Sequence, residues 1–162
     1  MEEDSKKPEE KVRDGIRSNL MKDCIVFYKE RKLKNCFGDA KKIPDIIAVS
    51  YDGCKVYVIE CKHSKSNSLR KLTSALGQIL IDRLLVEECR ENRSEEWTDF
   101  LKKNIEKTIK KRKFNREVNL NDDHKIIYGI GLNGSYENSK NVDLIKKIKG
   151  EFNLEILYHK TE

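Results

Sequence analysis

The sequence predicts an α/β protein in which a mixed (α+β) sheet is covered by helices on both faces, a three-layer sandwich. Three observations point there. Short β-branched and aromatic runs occur near both ends of the chain, an Asp-Gly step joins two more of them in the first half, and residues 68–114 carry long three- and four-residue apolar spacings. The order they imply is one helix, three strands, helices, then strand, helix and strand.

The first eight residues are expected to be a mobile tail, which leaves 9–162 as a single domain. From Glu9, the spacing of Val12, Ile16 and Leu20 predicts a helix, although Gly15 is unfavourable inside one. CIVFY at 24–28 reads as a strand, and RKLKNCFGDAKK, with Gly38-Asp39, as a charged loop. Residues 44–50 and 54–62 flank Tyr51-Asp52-Gly53, a strong local hairpin signal. The second run is apolar on both alternating sets, Val56 and Val58 against Tyr57, Ile59 and Cys61, as a central strand covered on both faces should be. A helix follows over 68–90, with Leu69, Leu72, Leu76, Ile79, Leu80 and Leu84 as its stripe. A second runs from Ser94 to about Phe114, with Trp97 and Leu101 near its start. A strand at 125–132 ended by Asn133-Gly134, a helix near 140–149 and a strand at 154–158 complete the order.

With 162 residues the chain supports one domain with a real core. Hydrophobic residues make up 37% and charged residues 38%, so much of the chain must be solvated helix face or tail. No apolar run approaches the ~20 residues of a membrane span, and the N-terminus carries no apolar signal stretch. A cytoplasmic protein with no membrane partner is expected. Five cysteines form an odd set without a C-x-x-C pair and are read as reduced thiols; the three histidines are scattered. The net charge of +6 is concentrated: residues 102–116 hold eight Lys or Arg against Glu106 alone. Such a helix is either a solvated face or an electrostatic footprint for a polyanion.

The charges at the ends of the hairpin runs carry the chemistry. Asp45 opens the first run, and Glu60 and Lys62, two apart on the second, share a face. The hairpin lays the start of one run beside the end of the other, so all three side chains should converge. Two adjacent carboxylates repel unless a cation lies between them, and Mg²⁺ accepts one or two carboxylates with several waters. A lysine beside them can neutralise charge developing on a phosphate. In a basic protein this suggests phosphodiester hydrolysis by metal-activated water.

At Pro44-Asp45 and Glu60-Cys61-Lys62 the sequence resembles the PD-(D/E)xK nuclease superfamily, whose restriction-endonuclease-like core is αβββαβ. The resemblance implies a Mg²⁺ or Mn²⁺ site formed by Asp45, Glu60 and the backbone carbonyl of Cys61, with Lys62 assisting the attacking water. It also implies a carboxylate on the first helix, Glu9 with Glu10 as fallback, and a glutamine on the helix after the motif, Gln78. The competing reading of Gln78 is a solvated face, with Asp82 one turn on. The wording of 43–63 is similar to archaeal Holliday-junction resolvases, while the Gln-bearing helix is more like restriction enzymes and RecB-type exonuclease domains. Resolvase, restriction, homing, repair and mobile-element nucleases therefore stay open.

The extra helix, a basic insertion over about 94–116, would hold DNA phosphates through Lys107, Lys110, Lys111, Arg112 and Lys113. Lys65, Lys71 and His63 are further candidates near the site. Cutting two strands with one site per chain favours a homodimer. The alternatives are a catalytically inactive nucleic-acid-binding module of the same fold, or an RNA nuclease.

Overall fold

In the computed structural model, residues 6–27 and 44–160 are described. The elements run α1 (Pro8–Leu20), β1 (Cys24–Val26), β2 (Ile46–Ser50), β3 (Lys55–Lys62), α2 (Leu69–Asn92), α3 (Ser94–Arg112), β4 (Lys125–Asn133), a 3₁₀ turn (Gly134–Asn138), α4 (Val142–Phe152) and β5 (Glu155–His159). This is the expected order. The helix anticipated from Glu9 begins at Pro8, where a proline at the first helical position loses no hydrogen bond and Glu9 and Glu10 face the positive end of the dipole. Pro8, expected in the tail, is thus the first residue of α1, while residues 1–5 lie outside the described residues. Tyr28 and the charged loop with Gly38-Asp39 lie outside the described residues.

The five strands lie in the order β1-β2-β3-β4-β5. The first three form an antiparallel meander, and β4 and β5 add in parallel. The Asp-Gly turn sets the hairpin. Gly53 has φ +74°, its N–H bonds back to the Ser50 carbonyl at 2.8 Å, and the Asp52 carboxylate accepts the Ser50 hydroxyl and the Cys54 N–H. Left-handed backbone at that position suits glycine, and a short acid beside it closes the turn.

Strand β3 is central, and alternation sends its side chains into two cores. Val56 and Val58 pack with Leu72, Ile79 and Val86 of α2, Trp97 and Leu101 of α3, and Ile145 and Ile148 of α4. Ile59 and Cys61 pack on the other face with Val12 and Ile16 of α1. The layers are therefore α1, the sheet, and α2 to α4. Gly15 has its reason here: a Cβ on it would lie 1.9 Å from the His159 ring, so the absence of a side chain lets α1 settle on β5.

Two sequence expectations need correction. The inward face of α2 is Leu72, Ala75, Ile79, Asp82, Val86 and Cys89, whereas Leu69 and Leu84 of the expected stripe are exposed. Small and polar residues on a packed face hid it, while long apolar residues elsewhere suggested a stripe. Cys24, Cys54 and Cys61 are free thiols, but Cys89 is disulfide-bonded, since spacing along the chain does not reveal which cysteines a fold brings together. Among the described residues no helix is long and apolar enough to cross a membrane.

Candidate functional site

The hairpin register builds the site. Ile46 pairs with Ile59, so one step outward Asp45 stands opposite Glu60. The Asp45 carboxylate accepts the Cys61 N–H at 2.8 Å, which fastens the residue before β2 to the end of β3. By alternation Asp45 and Glu60 share the face of Ile47 and Val58, the face covered by α2. The convergence expected of Asp45 and Glu60 is thus present.

Asp82, on α2, meets them there. It is buried, and its carboxyl hydrogen-bonds with Glu60, itself only 6% exposed. Burial, the bond to Asp82 and the charges of Asp45 and Asp82 drive the Glu60 carboxyl far above the ordinary carboxylate range. Burial and like charge thus favour the neutral form of the Glu60 carboxyl unless a cation offsets them. Sequence reasoning met Asp82 only in the competing, solvated-face reading of Gln78 and gave it no role of its own. Its only signal was its position seven residues after Ala75 on a strip that proved to be the packed one.

Lys62, at the end of β3, forms its ion pair with Glu9 of α1, Nζ to Oε1 at 3.4 Å. The lysine is thereby held at the strand end by the helix acid rather than by the hairpin carboxylates. Glu9, expected among the metal ligands, is 45% exposed along its side chain and makes this contact instead; its spacing from Val12 turned it only partly inward. The loop after Lys62 is pinned: the Asn133 side chain accepts the Ser64 N–H and donates to the Ser64 carbonyl at 2.9 and 3.0 Å. Tyr136 adds a bond from its hydroxyl to the Ser68 carbonyl, beside the Ser68 cap of α2. These bonds tie the end of β3, the end of β4 and the start of α2 together around the site.

Gln78 is half-buried on the flank of the α2 face, one turn before Asp82. The Cys61 thiol lies in the α1 core, so only its backbone faces the hairpin acids. Lys65 and Lys71 are exposed, and His63 and Lys65 line a small hollow of about 230 Å³ with Asn133 and His159. On α3, Lys107, Lys110 and Lys111 are exposed, as is Lys113 at its left-handed C-cap. The last-turn bases also suit the negative end of that helix dipole. Arg112 differs: it turns toward α1, its guanidinium donating to the Met21 sulfur at 3.1 Å.

Two arginines that the sequence did not single out flank the site. Arg13 places Nη1 3.9 Å from an Asp45 carboxylate oxygen, and Arg17 donates to the Asp45 carbonyl at 3.0 Å. Spaced four apart on α1, they occupy one side of the helix.

As a metal site the donors fit in kind. They are hard oxygens, and Mg²⁺ takes one or two carboxylates and completes its shell with water. No three His, Cys, Asp or Glu side chains among the described residues are grouped as a finished metal cage. Compared with protein-family models, with curated proteins and with solved structures, the chain matches none.

Proposed function

We propose that this chain is a Mg²⁺- or Mn²⁺-dependent nuclease that hydrolyses DNA phosphodiester bonds on a restriction-endonuclease-like core. The observation that carries the reading is the meeting of Asp45 and Glu60 at the hairpin end, closed from above by Asp82 and bordered by Lys62. Asp45, Glu60 and the Cys61 carbonyl would hold the cation, with Asp82 as a third oxygen donor on the helix side. When bound, the cation supplies Lewis-acid polarisation of the scissile phosphate and lowers the pKa of the attacking water. Lys62, oriented by Glu9, offsets the negative charge that grows on the phosphate. Gln78, one turn before Asp82, would orient a polar group of the substrate or a water.

The test is cleavage of labelled duplex, branched and single-stranded DNA and of RNA, with Mg²⁺, with Mn²⁺ and with EDTA. Asp45→Ala, Glu60→Ala and Lys62→Ala should each abolish cutting that requires the metal. Cutting undiminished in all three variants would overturn the assignment. The Arg13–Asp45 contact favours a second reading, in which arginine charge neutralises the acids in a non-catalytic binding module. It wins if every substrate stays intact while DNA is bound. RNA cut in preference to DNA would change the substrate and keep the site. A dimer, expected for cutting both strands, would show as twice the chain mass by light scattering.

A further inference from the structure

Between α1 and the C-terminal end of α3 lies a cleft of about 530 Å³. Its charged lining is Lys6, Glu10, Arg13, Asp14, Arg17 and Arg112, four cations against two acids. The acids are engaged unevenly. Asp14 lies 2.9 Å from Lys6 and 3.8 Å from Arg17, while Arg13 pairs, among the described residues, with Asp45 at 3.9 Å, and Arg112 donates to a thioether, a weak acceptor. Each guanidinium has five donors. Two of them, stacked a turn apart on one helix and joined by a third from another element, make a surface with far more donors than acceptors. Burial and the neighbouring Arg13 charge lower the Arg17 pKa, against the opposing pull of Asp14 and Asp45.

We propose that this cleft is a phosphate track for nucleic acid, in which Arg13, Arg17 and Arg112 hold consecutive backbone phosphates and lead the strand to Asp45. The proposal rests on the nuclease reading only for where the strand leads; the binding stands on the cleft itself. Three features select a phosphodiester chain over a small anion. The cleft has room for more than one phosphate, two of its arginines, Arg13 and Arg17, touch Asp45 of the candidate site, and Arg112 in its wall adjoins the exposed Lys111 and Lys113 in sequence. Planar guanidinium groups suit phosphate oxygens bidentately, which lysines at the same places would not reproduce.

The experiment is fluorescence-anisotropy binding of a labelled DNA duplex and a single strand in EDTA, so that no cutting interferes, over a series of salt concentrations. Each phosphate contact contributes about 0.9 to the slope of log affinity against log salt for a duplex and about 0.7 for a single strand. Arg13→Gln, Arg17→Gln and Arg112→Gln should each reduce the slope by about that amount, and the triple variant by about three times as much. Lys146→Gln with Lys147→Gln, on α4 across the sheet, should leave it unchanged. Arg17 also bonds the Asp45 carbonyl, so urea denaturation of each variant accompanies the binding, and Arg13 and Arg112 alone suffice should the Arg17 variant unfold. A slope that does not move in the folded arginine variants, or that falls equally in the α4 control, overturns the track. Displacement of DNA by millimolar inorganic phosphate without any change of slope in the variants would mark a small-anion site and overturn it too. Binding that depends on the arginines in a protein that cuts nothing would sink the nuclease reading and keep the track; cutting with an arginine-independent slope would do the reverse.

Discussion

His124 is buried against Trp97, and its ring geometry fixes its tautomer. The Trp97 indole N–H can only donate, so Nε2 of His124 accepts at 3.1 Å, and Nδ1 carries the proton toward the Asn121 carbonyl at 2.8 Å. Burial depresses the imidazole pKa, with the Arg90 charge adding to it against the Asn121 bond. A base depressed in the fold contributes stability that is present above its unfolded pKa, about 6.5, and is lost as pH falls through the folded value. Urea denaturation at pH 7.5 and pH 5.0 should therefore show a steeper loss in the wild type than in His124→Gln, whose amide oxygen can still accept from Trp97. Equal losses would mean that His124 does not titrate with unfolding. At the proposed site, Asp82→Asn keeps shape and removes charge, and a drop of roughly 10- to 100-fold in metal affinity or cutting rate is expected, by the scale of metal-site supporting groups. Retained activity would leave Asp82 as a packing residue. Asp45 and Glu60 were legible because a hairpin turns local spacing into a contact, whereas Lys62, expected beside them, pairs with Glu9 of α1 instead. Asp82 was not, since nothing in a single helix says which of its polar residues will be covered.

The first helix shows how an element can be read correctly while its purpose is missed. Gly15 looked like a flaw in the helical pattern, and the fold makes it the point at which α1 meets the His159 ring. Gly15→Ala should therefore cost about 1–3 kcal/mol by overpacking. In a His159→Ala background the same change should instead stabilise by about 1 kcal/mol, from the gain in helix propensity. Urea denaturation of the two single variants and the double one gives the answer, and additivity would remove the contact from the explanation. The second helix teaches the complementary lesson. Its existence and limits followed from periodicity and from Ser68, whose hydroxyl accepts the Lys71 N–H, but its rotation about its own axis did not. Ala75, Asp82 and Cys89 on the inner face carry little hydrophobic signal, while exposed Ile81 and Leu84 carry much. Rotation is set by the partners the helix meets, and those are written elsewhere in the chain.

Across the whole molecule, the layered architecture was foreshadowed by one strand. Only a central position explains a run apolar on both faces, and β3 does divide its side chains between two cores. Ile59→Ala, in the smaller of them, should destabilise by about 2–5 kcal/mol in urea denaturation, even though α1 is the only helix on that side among the described residues. A cost below 1 kcal/mol would mean that the α1 layer is loosely attached. Strand directions beyond the hairpin were not legible, because parallel pairing between β3 and β4 is decided by packing across the intervening helices and not by any turn. That division has a kinetic side. The antiparallel β2–β3 pair needs only a short loop to close, whereas β4 can dock only after α2 and α3 have been threaded across one face of the sheet. Loop-closure entropy delays such long-range pairing. The two hairpin carboxylates should thus become neighbours early in folding, and Asp82 should reach them late. During that interval their mutual repulsion is met by water, and the helix that removes the water arrives afterwards. Pulsed hydrogen exchange would show it as protection of the β2–β3 amides before those of β4.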